Sequence, residues 1–222
     1  MSYPPAPWIL KGHGFLTLHL IDFSDAAKVI PKDLEIVQVL PGKTIGGLVL
    51  GKYESGSTLT YGELIAIAGL VRYGGKIGSW ISHIYVDNAS SIAGGREIWG
   101  LPKEEAQFFW QPEGGANTDT YSGAIVKQGD QILCNFTHAW QFNLWRLSGQ
   151  FDSYSKLAAE LMRFESSAIG NLSIVSSRLE VPSTSPFAKL IDSQPWIALK
   201  AEALELTVAA PLSVHGRIPM TV

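Results

Sequence analysis

Cysteine and metal-binding patterns are almost absent from the sequence. Cys134 is the single cysteine among 222 residues, which excludes an internal disulfide and a thiolate metal site. The five histidines show no H-x-x-x-H or H-x-H spacing, so a zinc site is not expected. A lone cysteine is typical of a reducing compartment, and we predict a cytoplasmic protein without a metal.

Long apolar runs and clusters of basic residues are also missing. No stretch approaches the roughly 20 apolar residues of a membrane helix, and the first residues lack the basic start and apolar core of a signal peptide. The formal net charge is -3 and the pI about 5.9, without a basic run that could bind phosphates. Membranes and nucleic acids are therefore not expected partners.

The glycines do not form a phosphate-binding loop. Although the sequence has 22 glycines, it contains no Walker loop, dinucleotide-binding fingerprint or G-x-S-x-G elbow. It contains instead many short segments rich in strand-forming residues, separated by turn residues at roughly ten-residue intervals. This pattern predicts a mainly β protein, an antiparallel barrel or sandwich, in one domain over residues 1–222.

Two or three helices are predicted within this framework. One occupies residues 26–30, and a second, short helix runs through Ile92 until Gly94 and Gly95 end it. Apolar residues at helical spacing favour an amphipathic helix over 153–169. The strands are predicted at 15–21, 34–39, 44–53, 58–71, 80–86, 105–110, 121–126, 131–137, 172–181 and 204–208.

Lys103 is the candidate for covalent chemistry. It directly follows Pro102, in a segment that contains three glycines and a tryptophan. A lysine attacks a carbonyl only as the neutral amine, which an unperturbed lysine forms about once in a few thousand molecules at pH 7. Burial beside Trp99 and Leu101 could disfavour the ammonium and make Lys103 a nucleophile. A surface lysine after a turn is the alternative that composition leaves open.

Several charged residues accompany this lysine. Glu63 is an isolated carboxylate inside an apolar run, which is costly to bury unless it is paired or used in chemistry. Arg96 and Glu97 are interpreted as a structural pair that fixes the loop, because an arginine can satisfy several buried carbonyls. Glu104 points to the opposite face from Lys103 if the chain is extended after Pro102.

A longer pattern connects these residues. Four segments follow one another in the sequence: Tyr61-x-Glu63, Val71-Arg72-Tyr73, Tyr85-Val86-Asp87-Asn88 and Gly95-Arg96-Glu97-Ile98-Trp99-Gly100-Leu101-Pro102-Lys103. Their order and spacing resemble the acetoacetate decarboxylase-like family. The resemblance implies a cone-shaped antiparallel β-barrel with an internal active-site cavity, a homo-oligomer, and a lysine Schiff base that replaces a cofactor. By position, Lys103 matches the Schiff-base lysine and Glu63 a cavity glutamate.

The sequence departs from the family pattern at three positions. Glu104 stands where family decarboxylases carry a second lysine, and alignment by eye puts Leu20 and Leu48 in place of an arginine and a second cavity glutamate. Leu20, Leu48, Tyr61 and Trp99 are predicted to form the substrate pocket. A more apolar ketone or aldehyde than acetoacetate fits such a pocket.

The resemblance favours an enzyme whose lysine forms a Schiff base with a small-molecule carbonyl substrate. Decarboxylation of a β-keto acid is the first expectation. Aldol, retro-aldol or dehydration chemistry would use the same imine. The alternative from another class is a non-catalytic barrel that binds an apolar small molecule.

Overall fold

The computed structural model describes residues 3–113 and 121–214, so that His215 lies outside the described residues. The two helices are α1 (Phe23–Ala26) and α2 (Ala89–Trp99). The strands are β1 (Trp8–Asp22), β2 (Glu35–Ile36), β3 (Lys43–Tyr53), β4 (Tyr61–Tyr73), β5 (Lys76–Val86), β6 (Lys103–Glu105), β7 (Gln107–Pro112), β8 (Tyr121–Gln128), β9 (Gln131–Thr137), β10 (Gln141–Leu157), β11 (Glu160–Val175), β12 (Arg178–Glu180), β13 (Ile197–Val208) and β14 (Leu212–Ser213).

The strands β4, β3, β1, β13, β11, β10 and β5 pair in that order, and β5 pairs back with β4 to close a barrel. Neighbours are antiparallel except at the junction of β5 and β10, where two residue pairs are parallel: Ser79 with Ser153 and Trp80 with Tyr154. The predicted mainly β barrel is confirmed.

The barrel strands β1, β3 and β4 are largely buried on both faces, because one face lines the barrel interior and the other packs against the outer core. In β1, Phe15 and Ile21 belong to an outer apolar core, whereas Leu16 and Leu18 line a cavity inside the barrel. A second sheet in the order β12-β9-β8-β7 covers the outer core with residues such as Phe136. Burial on both faces explains the nearly continuous apolar runs of the sequence.

The helix predicted over 153–169 is wrong. These residues form the ends of β10 and β11 and the tight turn between them, where Ala158 has φ 53. Leu161 contributes to the outer core, and Phe164 contributes to a second apolar cluster that includes Trp99. A spacing of three residues puts side chains on one face of a helix but on opposite faces of a strand. Because apolar layers lie on both sides of β11, the segment buries these residues as a strand.

The other local predictions need smaller corrections. α2 continues through Gly94 and Gly95 and ends at Gly100, whose φ of 65 is the left-handed conformation favoured at helix ends. α1 begins before the predicted 26–30 and covers Phe23–Ala26, and β2 has two residues where a strand over 34–39 was expected. In the described ranges, neither helix has the length and apolar character needed to cross a membrane.

The first two thirds of β10 are exposed. Its residues 141–152 pair with β11 along one edge, and pairing with β5 starts only at Ser153. Phe142 and Trp145 on this segment are 63% and 68% exposed. A strand edge with large apolar side chains is suited to pairing with another chain, and the homo-oligomer expected from the sequence stays a prediction.

Burial keeps the described histidines neutral. Burial lowers the pKa of His13, His83 and His138 below the usual range and that of His19 to about 4. His19 is buried in β1, where its Nε2 is 3.1 Å from Thr17 Oγ1. An unfolded chain would protonate the same ring near its ordinary pKa.

We predict that His19 makes the protein less stable in mild acid. Between pH 6.5 and about 4, His19 is protonated in the unfolded chain but neutral in the folded chain. The free energy of unfolding therefore decreases as the pH falls through this range and is constant with respect to His19 above pH 6.5. The loss attributable to His19 reaches about 3 kcal/mol at the acid end. Urea unfolding of the wild type and His19→Gln at several pH values should show a flatter profile for the variant. Parallel profiles would contradict the assignment.

Candidate active site

Lys103 and Glu63 form a buried ion pair inside the barrel. Their exposed fractions are 3% and 5%, which excludes the surface-lysine interpretation. Lys103 Nζ donates hydrogen bonds to Glu63 Oε1 at 2.8 Å and to Ser91 Oγ at 2.9 Å. Moving both charges out of water is costly. The cost is offset because the two charges lie against each other and because each also forms a further hydrogen bond.

Three neighbouring strands bring the pair together. β5 lies between β4 and β6, with Val86 opposite Glu63 and Ile84 opposite Lys103. The backbone of Lys103 is held by Arg96, whose Nε donates to the Lys103 carbonyl at 2.7 Å. Arg96 therefore fixes the segment that carries the lysine.

Glu97 has a different partner from the one expected. Its carboxylate accepts a hydrogen bond from the Tyr3 hydroxyl at 2.6 Å, which ties the N-terminal segment to α2. Arg96 acts on the lysine segment and Glu97 on the N-terminus, so the two neighbours have separate structural roles.

Helix α2 forms the wall behind the lysine. Asn88 caps the helix by accepting from the Ser91 amide at 3.0 Å. Ser91 and Gly95, one turn apart, both meet the Lys103 side chain. A Cβ on Gly95 would lie 2.5 Å from Lys103 Cδ. The absence of a side chain at this position makes room for the lysine.

Two tyrosines complete the polar end of the cavity. The Tyr53 hydroxyl donates to Glu63 Oε2 at 3.1 Å, so both oxygens of this carboxylate are occupied. Burial, and then the charge of Glu63, raise the pKa of Tyr53 and of Tyr61 well above the usual value. Both phenols therefore stay protonated and can act as hydrogen-bond donors at neutral pH.

Aromatic rings surround the lysine nitrogen. Lys103 Nζ lies 4.9 Å from the ring centroid of Tyr61 and 5.6 Å from that of Trp8, distances that stabilise a cation. Trp99 packs edge-on against Trp8 at 4.8 Å between centroids, and its Nε1 donates to the Ala209 carbonyl. Tyr61 and Trp99 line the cavity, and their assignment to a substrate pocket stays a prediction.

The cavity has a volume of about 500 Å³. Leu20 and Leu48 are not among the described residues that line it. Leu48 points into the outer core, because it lies on the opposite face of β3 from the lining residue Val49. Leu20, two residues after the lining residue Leu18, is half-buried and does not line the cavity. β1 and β3 line the cavity with other apolar residues, among them Leu18 and Val49.

Glu104 does not approach the lysine amine. It is exposed on the outer face of β6, where its carboxylate accepts from Gln128 Nε2 at 2.8 Å. The alternation of β6 separates the two neighbouring side chains, as the extended chain after Pro102 predicts. Glu104 thus supplies neither a cation nor a direct counter-charge to Lys103.

Within residues 3–113 and 121–214, no group of three or more His, Cys, Asp and Glu side chains is placed to hold a metal ion.

Sequence reasoning missed three contributors to the site: Tyr53, Ser91 and Trp8. The spacing of Asn88, Ser91 and Gly95 carried a usable signal, since a cap at Asn88 puts Ser91 and Gly95 on one face of a helix. Tyr53 and Trp8 had no such signal, because their proximity to the lysine arises from strand pairing across the barrel.

The sequence matches known proteins over most of its length. A family model described as acetoacetate decarboxylase covers residues 1–170. Protein NEOXANTHIN-DEFICIENT 1 of Solanum lycopersicum is 33% identical over 108 residues, which are 49% of this chain and 36% of that protein. Acetoacetate decarboxylase 1 of Bradyrhizobium diazoefficiens is 28% identical over 116 residues, 48% of this chain and 41% of the relative. These matches span less than half of each relative.

Solved structures share the fold. Acetoacetate decarboxylase from Legionella pneumophila superposes with a TM-score of 0.75 at 19% identity, covering 98% of this chain and 91% of the other. The enduracididine biosynthesis enzyme MppR in complex with pyruvate gives a TM-score of 0.69 at 12% identity, covering 96% and 91%. With the family model matching residues 1–170, the chain belongs to the acetoacetate decarboxylase family.

Proposed function

We propose that the protein is an enzyme that forms a Schiff base between Lys103 and a carbonyl substrate, with β-keto acid decarboxylation as its first candidate reaction. The observation that carries the proposal is the buried Lys103 amine, 2.8 Å from Glu63 in a largely apolar cavity. Relatives named acetoacetate decarboxylase support this chemistry.

Glu63 is the group that takes the proton from the amine. In the resting contacts the ammonium is stabilised by Glu63 and by the rings of Tyr61 and Trp8. Transfer of one proton along the 2.8 Å hydrogen bond gives a neutral amine and a neutral acid, a pair that a dry cavity penalises less than two charges. The amine then attacks the carbonyl carbon.

The same groups serve the following steps. Glu63 returns its proton to the hydroxyl of the addition product, water leaves, and a protonated imine remains on Lys103. This cation has the same need for a carboxylate and aromatic faces as the ammonium did. In a β-keto acid, the electrons of the carbon–carboxylate bond flow into the iminium as carbon dioxide departs. The resulting enamine is protonated on carbon, and hydrolysis frees Lys103.

Aldol-type chemistry is the second candidate. MppR has been solved with the condensation product of pyruvate and imidazole 4-carboxaldehyde, so a protein of this fold binds a product made from a keto acid and an aldehyde. Loss of a proton from the carbon next to the iminium on Lys103 would give an enamine. The enamine carbon would attack the carbonyl carbon of an aldehyde, whose oxygen takes up a proton, and hydrolysis of the new iminium would free Lys103.

Borohydride trapping tests the imine directly. Incubation with a panel of ketones and borohydride, followed by peptide mass spectrometry, should show the reduced adduct on Lys103. Lys200 is a matched internal control, since it is 2% exposed but paired with Glu113 and Glu202 outside the cavity. Lys103→Ala should give no adduct. An unmodified Lys103 across the whole panel, or equal labelling of Lys200, would sink the proposal.

Glu63→Gln should slow imine formation by about 100-fold or more, because the amide cannot accept the proton of the amine. The rate of adduct formation in a single-turnover trapping experiment measures this effect. Glu104→Gln is the matched control, since Glu104 neighbours Lys103 in sequence but lies on the outer face. Equal rates for both variants would remove Glu63 from the mechanism.

Gly95→Ala should displace the lysine without disturbing the helix. The added methyl would fall 2.5 Å from Lys103 Cδ, while alanine suits a helix better than glycine. We expect the trapping rate to fall at least tenfold in a variant that still folds, which a thermal unfolding transition checks. Gly149→Ala is the control, because a Cβ there meets nothing within 4 Å. A wild-type trapping rate in Gly95→Ala would show that this contact does not position the amine.

A further inference from the structure

Aliphatic side chains line the middle of the cavity, between the end that holds Lys103 and the end near Ile77. The side chains between the two ends come from three adjacent strands, β1, β3 and β4: Leu16, Leu18, Ile45, Val49, Ile65 and Ile67. None of these can hydrogen-bond to a ligand through its side chain. A small polar substrate held at Lys103 would leave this space without favourable contacts.

The end of the cavity away from Lys103 is the more exposed one. Ile84 lies beside Lys103 in the sheet, and Ile77 precedes it by seven residues in β5. The rise of a strand puts the two Cα atoms about 20 Å apart. Ile77 and Phe151, both lining residues, are 47% and 49% exposed, so the apolar lining continues to the protein surface there.

Charge is restricted to the ends of the cavity. Among the described lining residues Lys103 is the single cation, and it is paired with Glu63. Asp152, near Phe151, is paired with Arg163 at 3.0 Å. A ligand that carried a charged group on the part remote from Lys103 would meet no side chain of opposite charge along the walls. Burying such a group without a partner is costly.

We propose that the natural ligand is a carbonyl compound with a long apolar tail. Its carbonyl lies at Lys103 and its tail follows the aliphatic walls towards Ile77 and Phe151. The volume of about 500 Å³ is within the range of sites that enclose whole small molecules. This inference rests on the proposed imine chemistry for the position of the carbonyl, and on the cavity walls for the tail.

A series of methyl ketones from acetone to undecan-2-one tests the tail. The ketone concentration that gives half-maximal borohydride trapping on Lys103 should fall by up to about fourfold for each added methylene, the fold-change that corresponds to about 0.8 kcal/mol per buried CH₂. The gain should stop once the tail emerges at the open end. Trapping that is independent of chain length would overturn the inference and leave the imine proposal standing.

A blocked cavity gives the structural control. Val49→Phe should abolish the gain for long ketones while acetone is still trapped, which also shows that the variant folds. Val39→Phe makes the same change at an exposed position outside the cavity and should follow the wild type. If Val49→Phe fails to trap acetone, Ile45→Phe replaces it and should weaken only the long ketones. Identical length dependence in the blocked variant and the wild type would overturn the inference.

Failure of the imine proposal has a different signature. Thermal shifts of Lys103→Ala with the same ketones report binding without covalent chemistry. Shifts that grow with chain length, combined with no adduct on wild-type Lys103, would reject the Schiff base and keep the apolar-tail site. Shifts that do not grow with length would count against that site directly.

Discussion

The buried contact between Lys103 and Glu63 is the constraint on which the rest of the site depends. Removing one partner would leave an uncompensated charge in the barrel, at a cost on the order of 3–5 kcal/mol. The structure around the pair meets this demand with Ser91 and Tyr53 as further hydrogen-bond partners. The chemistry proposed for the cavity depends on the same contact. The hydrogen bond that holds Lys103 against Glu63 is also the path along which the proposed proton transfer from the amine to the carboxylate would occur.

The pairing of three strands, β4, β5 and β6, brings the two residues together. The two residues are 40 positions apart in the chain and meet because β4, β5 and β6 are neighbours in the sheet. Closure of the barrel separates the two faces of β1, β3 and β4, so that one set of apolar residues packs in the outer core against the second sheet and the other faces the cavity. The cavity is therefore a direct product of the alternation along β1, β3 and β4.

Close approach at the helix gives the lysine its fixed position. Gly95 of α2 leaves room for the lysine side chain, and a Cβ on Gly94 would fall 2.6 Å from a ring atom of Trp8. The sequence presents this pair of glycines as the end of a helix, by the usual rule for glycine. The helix instead continues, because the capping bond of Asn88 and packing against the barrel outweigh the cost of about 1 kcal/mol per glycine.

The sequence by itself determined the β class of the fold and singled out Lys103, Glu63 and the segment from Gly95 to Lys103, because each depends on local composition or on a contiguous motif. That Lys103 and Glu63 are buried against each other was decided by the tertiary structure. Only the tertiary structure decided the strands at 153–169, the cavity-facing side of β3 and the part played by Tyr53 and Trp8. A spacing of three residues fits a helix or two strand faces equally well, and an error of one position in β3 exchanges Val49 for Leu48. Strand pairing in the closed barrel decides both the conformation of residues 153–169 and the face of β3 that lines the cavity. Sequence alone does not give this pairing, because it joins residues that are distant in the chain.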